Sequence, residues 1–234
     1  MTVPLPLRLW SGGAVKSGLI PSIELYRQRT GAEVAVEFLP MGPLARRLSE
    51  PLPDALILTR ELMDTASRDG RVAADPPTEI GRVAIGIAVR DGAPVPDVST
   101  AEALKRALIA ARSIVYIDPE RGTSGKQVVV VLETLGIAEA VRAKTVLGQG
   151  GSVVEPVARG EVELGIHQIT EILNLPGVRF AGALPAALQK ETVYLGAASA
   201  TTARREDVRG FLSFLRTAEI RSLFAAKGFI EPRP

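Results

Sequence analysis

Between Ser113 and Lys126 the chain reads Ser-Ile-Val-Tyr-Ile-Asp-Pro-Glu-Arg-Gly-Thr-Ser-Gly-Lys, a β-branched run that breaks into a turn rich in small donors. Gly122, Thr123, Ser124 and Gly125 offer hydroxyls and backbone N–H groups where a helix should start, and a helix N-terminus favours negative charge. A carboxylate or an oxyanion is what such a turn can seat. Any strand-to-helix connection also wants a turn residue and a Ser or Thr cap, so the stretch taken alone fits a plain connection better. A nucleotide P-loop is excluded more firmly. Glu120 stands where its first glycine should be, and Gln127 where Ser or Thr should follow Lys126.

His167 and Gln168 close the run Leu-Gly-Ile-His-Gln, which reads as a strand ending at a turn. Strand alternation puts Leu164, Ile166 and Gln168 on one face and His167 on the other, so one of the two can point straight at a ligand, and Gln168 is preferred. A lone histidine is more often a hydrogen-bonded structural residue, and that reading is preferred for His167. Arg121 and Lys126 flank the central turn as either anion contacts or solvated charges. Lys16 reads as a first-turn helix residue. Met41 is more often a packing residue, although at a glycine turn it can line a pocket.

Composition removes several function classes. In 234 residues there is no cysteine and one histidine, which removes disulfides, thiolate nucleophiles and most zinc sites. No metal or cofactor is implied. The 28 basic and 26 acidic side chains are interspersed, and aromatics make up 4%, so neither a charged patch nor a stacking platform argues for nucleic acid. Apolar residues at 46% can bury a sizeable core in one large domain or two small ones. No apolar run approaches the ~20 residues of a membrane span. The opening Met-Thr-Val-Pro-Leu-Pro-Leu-Arg lacks a basic region and an apolar region, so as written it carries no signal peptide. A cytosolic protein is expected, or a periplasmic one whose leader has been removed.

The elements that would position these residues fall into two sets. In the first, strands at 7–10, 34–39 and 54–58 each run through a turn (Ser11-Gly12-Gly13-Ala14, Pro40-Met41-Gly42-Pro43, Thr59-Arg60) into a helix, the pattern of a parallel sheet with crossover helices. Ligands in such sheets sit at the carboxyl ends of the strands. An apolar strand at 83–89 follows, and Ser99 with Glu102 reads as a capping box opening a helix to Ala111. The second set repeats the pattern, with turns at Gly122–Gly125, Gln149-Gly150-Gly151-Ser152 and His167-Gln168. Val128–Val131 favours a strand by propensity but is read as helix, because a cap precedes it and Gly136 closes it. A strand at 192–198 and helices at about 203–216 and 218–227 end the chain. The predicted class is α/β with two lobes, each a mostly parallel sheet flanked by helices, and a ligand held between them.

The segments Leu-Trp-Ser-Gly-Gly-Ala-Val-Lys-Ser-Gly-Leu, Gly42-Pro-Leu-Ala-Arg-Arg-Leu, Asp54-Ala-Leu-Ile-Leu, Asp118-Pro119 with Thr123-Ser124-Gly125, Glu163-Leu-Gly-Ile-His-Gln, Pro185-Ala-Ala-Leu-Gln and the tail from Phe211 to Phe229 together resemble the molybdate-binding-protein branch of the type 2 periplasmic solute-binding proteins. The resemblance implies a discontinuous first lobe (1–83 and 197–234), a second lobe (84–196), and hinge strands near 83–89 and 192–198. It also implies a monomer that hands a small anion to an ABC transporter permease without entering the membrane. Carried onto this chain, the ligand-binding set is Ser11, Gly12, Gly13, Ala14, Met41, Gly42, Thr59, Arg121, Thr123, Ser124, Gly125, Gly150, Ser152 and Gln168. Molybdate binders place serines in the first two turns and a tyrosine after the late Gly-Ile strand. Here those positions hold Ala14, Met41 or Gly42, and Gln168, which suits an organic carboxylate better than molybdate. Some proteins of this branch resemble aconitate isomerases. A cofactor-free isomerase is therefore the alternative to a binding protein, with His167, Glu120, Glu171 or a lysine as the base.

Overall fold

The structure is a computed structural model that describes residues 5–230. The first four residues, on which the reading of the N-terminus partly rests, and residues 231–234 lie outside the described residues. In chain order come β1 (Leu7–Gly12), a 3₁₀ turn (Gly13–Val15), α1 (Lys16–Thr30), β2 (Val34–Leu39), α2 (Met41–Arg47), β3 (Ala55–Thr59), α3 (Arg60–Arg68) and β4 (Thr78–Val83). Next are β5 (Ile85–Arg90), α4 (Ala101–Ala110), β6 (Ile114–Ile117), α5 (Thr123–Thr134), α6 (Ala138–Arg142), β7 (Thr145–Gly148), α7 (Glu155–Ala158) and β8 (Leu164–Gln168). The last are α8 (Ile169–Ile172), β9 (Val178–Ala183), β10 (Thr192–Ala198), α9 (Arg205–Leu215) and α10 (Ala218–Ala226).

The chain divides into two compact units, one made of residues up to 82 and from 193 onward, the other of Val83–Thr192. The first holds a sheet ordered β2-β1-β3-β10-β4 and the second a sheet ordered β7-β6-β8-β5-β9. Both sheets are mixed. β1 runs parallel to β2 and β3, but β10 lies antiparallel to β3; β6 runs parallel to β7 and β8, but β5 is antiparallel to β8 and β9.

The apolar strands are explained by burial on both faces. In the second unit Ile85, Ile87, Ile114 and Ile166 pack against Leu104, Leu108, Val128 and Leu132 on one side, while Ala88, Val115 and Ile117 meet Val153, Val154, Val157 and Ile172 on the other. The valine run is helical, as read. Val128, Val131, Leu132 and Leu135 are buried at helical spacing whereas Val130 faces solvent, so tertiary burial overrides the β-branched preference. In the first unit Trp10, Leu44, Leu56, Leu58, Met63 and Leu195 form the corresponding core.

Three local readings change. The apolar run read as one strand over 83–89 is two strands broken at Ala84, with β4 in the first sheet and β5 in the second. The side chain of Gln189 pins the start of β5, accepting from the Ile85 N–H at 2.9 Å and donating to its carbonyl at 2.7 Å. The cap of α4 is Thr100, whose hydroxyl accepts from the Ala103 N–H at 3.1 Å; Ser99 instead bonds Asp97. Finally, β4 and β9 went unread. Both are sheet edges carrying polar residues and a glycine, so neither shows a continuous apolar run.

Candidate functional site

In the first unit the parallel strands end at Gly12, Leu39 and Thr59, and each runs into a turn of helix. The first i to i−4 bond of α2 is Leu44 N–H to Pro40 O at 3.0 Å, so the N–H groups of Met41 and Gly42 precede the ladder. Gly13 and Ala14 lie in the 3₁₀ turn, where Ala14 is buried and offers no hydroxyl. The Ser11 hydroxyl is fully buried and donates to the Gly12 carbonyl at 3.2 Å. Thr59 occupies the N-cap of α3 without a capping bond from its side chain.

Neighbouring side chains of this rim close tightly over Gly12. A Cβ there would lie 2.7 Å from the Met41 methyl and 2.9 Å from the Tyr194 ring. Met41 itself packs with Trp10 and Leu44 in the core, the packing reading given to it from sequence. Tyr194, which pairs with Thr59 through the antiparallel β10, was not foreseen as a rim residue. Its signal was out of sight in the sequence, since it comes from the strand that returns last.

In the second unit the turn from β6 into α5 is closed by the Arg121 and Gly122 N–H groups on the Asp118 carbonyl. The N–H groups of Thr123, Ser124 and Gly125 come before the first helical bond, Lys126 N–H to Gly122 O. Gly125 is required by space: a Cβ would meet the Ile117 carbonyl oxygen at 2.1 Å. The Arg121 guanidinium donates through Nε to the Gln149 carbonyl, bracing this turn against the next one. That next turn takes positive φ at Gly150 and Gly151, and Ser152 on it is exposed. Burial, with Asp118 nearby adding to it, pushes the Tyr116 phenol above its ordinary range, so it stays neutral.

The clearest constellation lies at the end of β8. His167 is 3% exposed; its Nε2 lies 2.9 Å from Glu171 Oε2, and its Nδ1 lies 3.5 Å from the Ser124 hydroxyl. Gln168 beside it is equally buried and forms the N-cap of α8. Alternation could not choose between the two, because the chain turns into α8 directly after Gln168. Glu171 was weighed in the sequence only as a possible base, yet the His-x-x-x-Glu spacing across a strand-helix junction is what brings the pair together. Gln127, one turn after Ser124 on α5, was missed. Its amide nitrogen donates to the Thr192 hydroxyl at 3.3 Å, and its Oε1 is buried with no partner among the described residues.

Among the described residues no cluster of three or more acidic, histidine or cysteine side chains is placed to hold a metal ion, and no helix is long and apolar enough to cross a membrane. A hollow of about 300 Å³ in the first unit, lined by Asp75, Thr78, Ala198, Arg205 and Arg209, sits toward the opposite end of β3 from Thr59, since Ala198 pairs with Ala55.

Three known proteins frame this geometry. An aconitate isomerase from Pseudomonas sp is 28% identical over 234 residues, spanning 97% of this chain and 88% of that protein. The periplasmic molybdate-binding protein of Azotobacter vinelandii superposes with a TM-score of 0.80 at 16% identity, covering 97% of this chain and all of that one. A sulfate-binding protein of Mycobacterium tuberculosis superposes at 0.74 with 16% identity, over 97% and 86% of the two chains. The two structures share the two-lobe α/β fold of type 2 periplasmic binding proteins with this chain. The sequence pattern described as "Bacterial extracellular solute-binding protein" matches residues 7–230, and the chain belongs to that family.

Proposed function

We propose that the protein captures a small anion, an organic carboxylate in preference to molybdate, and presents it to an ABC transporter permease from the periplasm. The supporting observation is the donor set at the strand ends: first-turn N–H groups at Met41-Gly42 and at Thr123–Gly125, with the Ser124 hydroxyl beside them. Such groups hold a localised negative charge through hydrogen bonds and the helix dipole. At the rim of the first unit Ser11 is committed to its own backbone, and Ala14 and Met41 set apolar side chains beside it, surroundings that suit a carbon skeleton. A thermal-shift screen of molybdate, tungstate, sulfate and di- and tricarboxylates tests this, since a ligand at a hundred times its Kd adds about 2.7 kcal/mol. Carboxylates should raise Tm most. Tight molybdate binding without any carboxylate response would overturn the choice of ligand.

A second reading is favoured by the His167–Glu171 pair together with the relative named aconitate isomerase. A buried imidazole oriented by a carboxylate is the arrangement of a general base, which could move a proton on a tricarboxylate. His167→Ala separates the readings. Turnover of aconitate by the unmutated protein that is abolished in the variant supports isomerisation; absence of turnover in both leaves binding as the function.

A further inference from the structure

We infer that anion binding in this protein is coupled to uptake of one proton by His167, through a relay of Ser124, His167 and Glu171. The inference rests on the anion-binding reading above and extends it from what is bound to what is bound with it. With Nε2 held 2.9 Å from the Glu171 carboxylate, the neutral imidazole carries its proton on Nε2 and leaves Nδ1 as an acceptor. The group it faces is the Ser124 hydroxyl, at 3.5 Å. A neutral His167 therefore draws the hydroxyl proton toward itself, and the serine oxygen turns its lone pairs outward. An anion at the α5 N-terminus then meets lone pairs where it needs a donor.

Protonation reverses the polarity. In the imidazolium both nitrogens donate, so Nδ1–H points at Ser124 Oγ and the hydroxyl proton is released toward the anion. The contact at 3.5 Å is at the outer limit of a hydrogen bond, which makes the exchange cheap. The new charge is balanced by Glu171, so the buried pair is neutral as a whole. The equilibrium is protein plus anion plus one proton from solvent giving the complex, with no covalent step. β5 presents Gly86 opposite His167, and Arg90 lies at the other end of that strand. β6 contributes the neutral Tyr116 between Val115 and Ile117, and on α5 Lys126 faces solvent.

Isothermal titration calorimetry with sulfate and oxalate, which do not themselves titrate between about pH 5.5 and 8.5, tests this in buffers of different ionisation enthalpy. The unmutated protein should take up a proton with either probe, and the affinity should fall as pH rises. Affinity independent of pH, or proton uptake that persists in His167→Gln, would overturn the relay while leaving anion binding standing. Failure of both probes to bind at any pH would overturn the anion-binding reading and the relay with it. Glu171→Gln keeps an acceptor on Nε2 but removes the counter-charge, and should lower the proton uptake at a given pH; unchanged uptake removes Glu171 from the relay. Because the chain has one histidine, ¹⁵N NMR of the unmutated protein reads the same event without mutation. Saturating oxalate should bring the two ring nitrogens to the shifts of an imidazolium, and a bound form that keeps the neutral Nε2–H tautomer would refute it.

Discussion

Replacing Gly125 with alanine would test whether the turn that carries Ser124 is held by contact between α5 and the end of β6. A Cβ at this position would lie 2.1 Å from the Ile117 carbonyl oxygen, 2.9 Å from the Pro119 nitrogen and 3.0 Å from the Asp118 carbonyl carbon. All three are backbone atoms, so no side-chain rotation relieves the overlap. The helix start must move off the strand by roughly an ångström, which loosens Val128, Val131 and Leu132 in the core. Overpacking of this kind costs about 1–3 kcal/mol and sometimes more, and a backbone clash belongs at the upper end. Alanine returns about 1 kcal/mol through helix propensity, since Gly125 lies within α5 at negative φ. The net loss is about 2 kcal/mol. For a unit of this size that lowers Tm by roughly 8 °C. Urea and thermal denaturation of Gly125→Ala would measure it, beside Gly136→Ala, where φ is +65° and nothing lies within 4 Å. The control should lose only about 1 kcal/mol from left-handed strain. A Gly125→Ala protein as stable as the unmutated one would refute the close approach on which the turn depends.

Ser124→Ala should weaken binding of the preferred anion roughly ten- to a hundredfold, about 1.5–3 kcal/mol by calorimetry, as for a hydrogen bond to a charged group, and Gln168→Ala should cost at least as much. Thr100→Ala should destabilise by about 1 kcal/mol in urea denaturation, whereas Ser99→Ala should change little, because the capping hydroxyl of α4 belongs to Thr100. The backbone N–H of Arg112 holds the Glu163 carboxyl below the usual range against opposing burial, with the Arg112 guanidinium and Lys144 assisting. A lowered carboxylate stabilises above the unfolded pKa and loses that contribution as pH falls through the folded one. Glu163→Gln should therefore lower the unfolding free energy measured in urea at neutral pH by no more than about 1 kcal/mol, given its partial exposure, and the difference should vanish in acid.

Local chemistry made much of this protein legible in its sequence. β2, β8 and β10 match the ranges read for them, and Gly136 takes the positive φ expected where it closes a helix. These features depend on neighbours along the chain, such as a β-branched run, a cap or a left-handed glycine. The family was legible for a related reason, because the order and spacing of turns over nearly the whole length carry it. Other features depended on distant partners. β4 and β9 are strands because a neighbouring strand pairs with them, and Met41 is core because Trp10 and Leu44 close over it. The Ser124–His167–Glu171 group joins residues 43 apart in sequence, through a helix and a strand that lie together only when the second sheet is assembled. Residue type and the strand end marked His167 as a candidate, but alternation could not aim its ring. Only tertiary packing, which sets Glu171 against one ring nitrogen and Ser124 toward the other, decided which atom of that histidine can accept a proton.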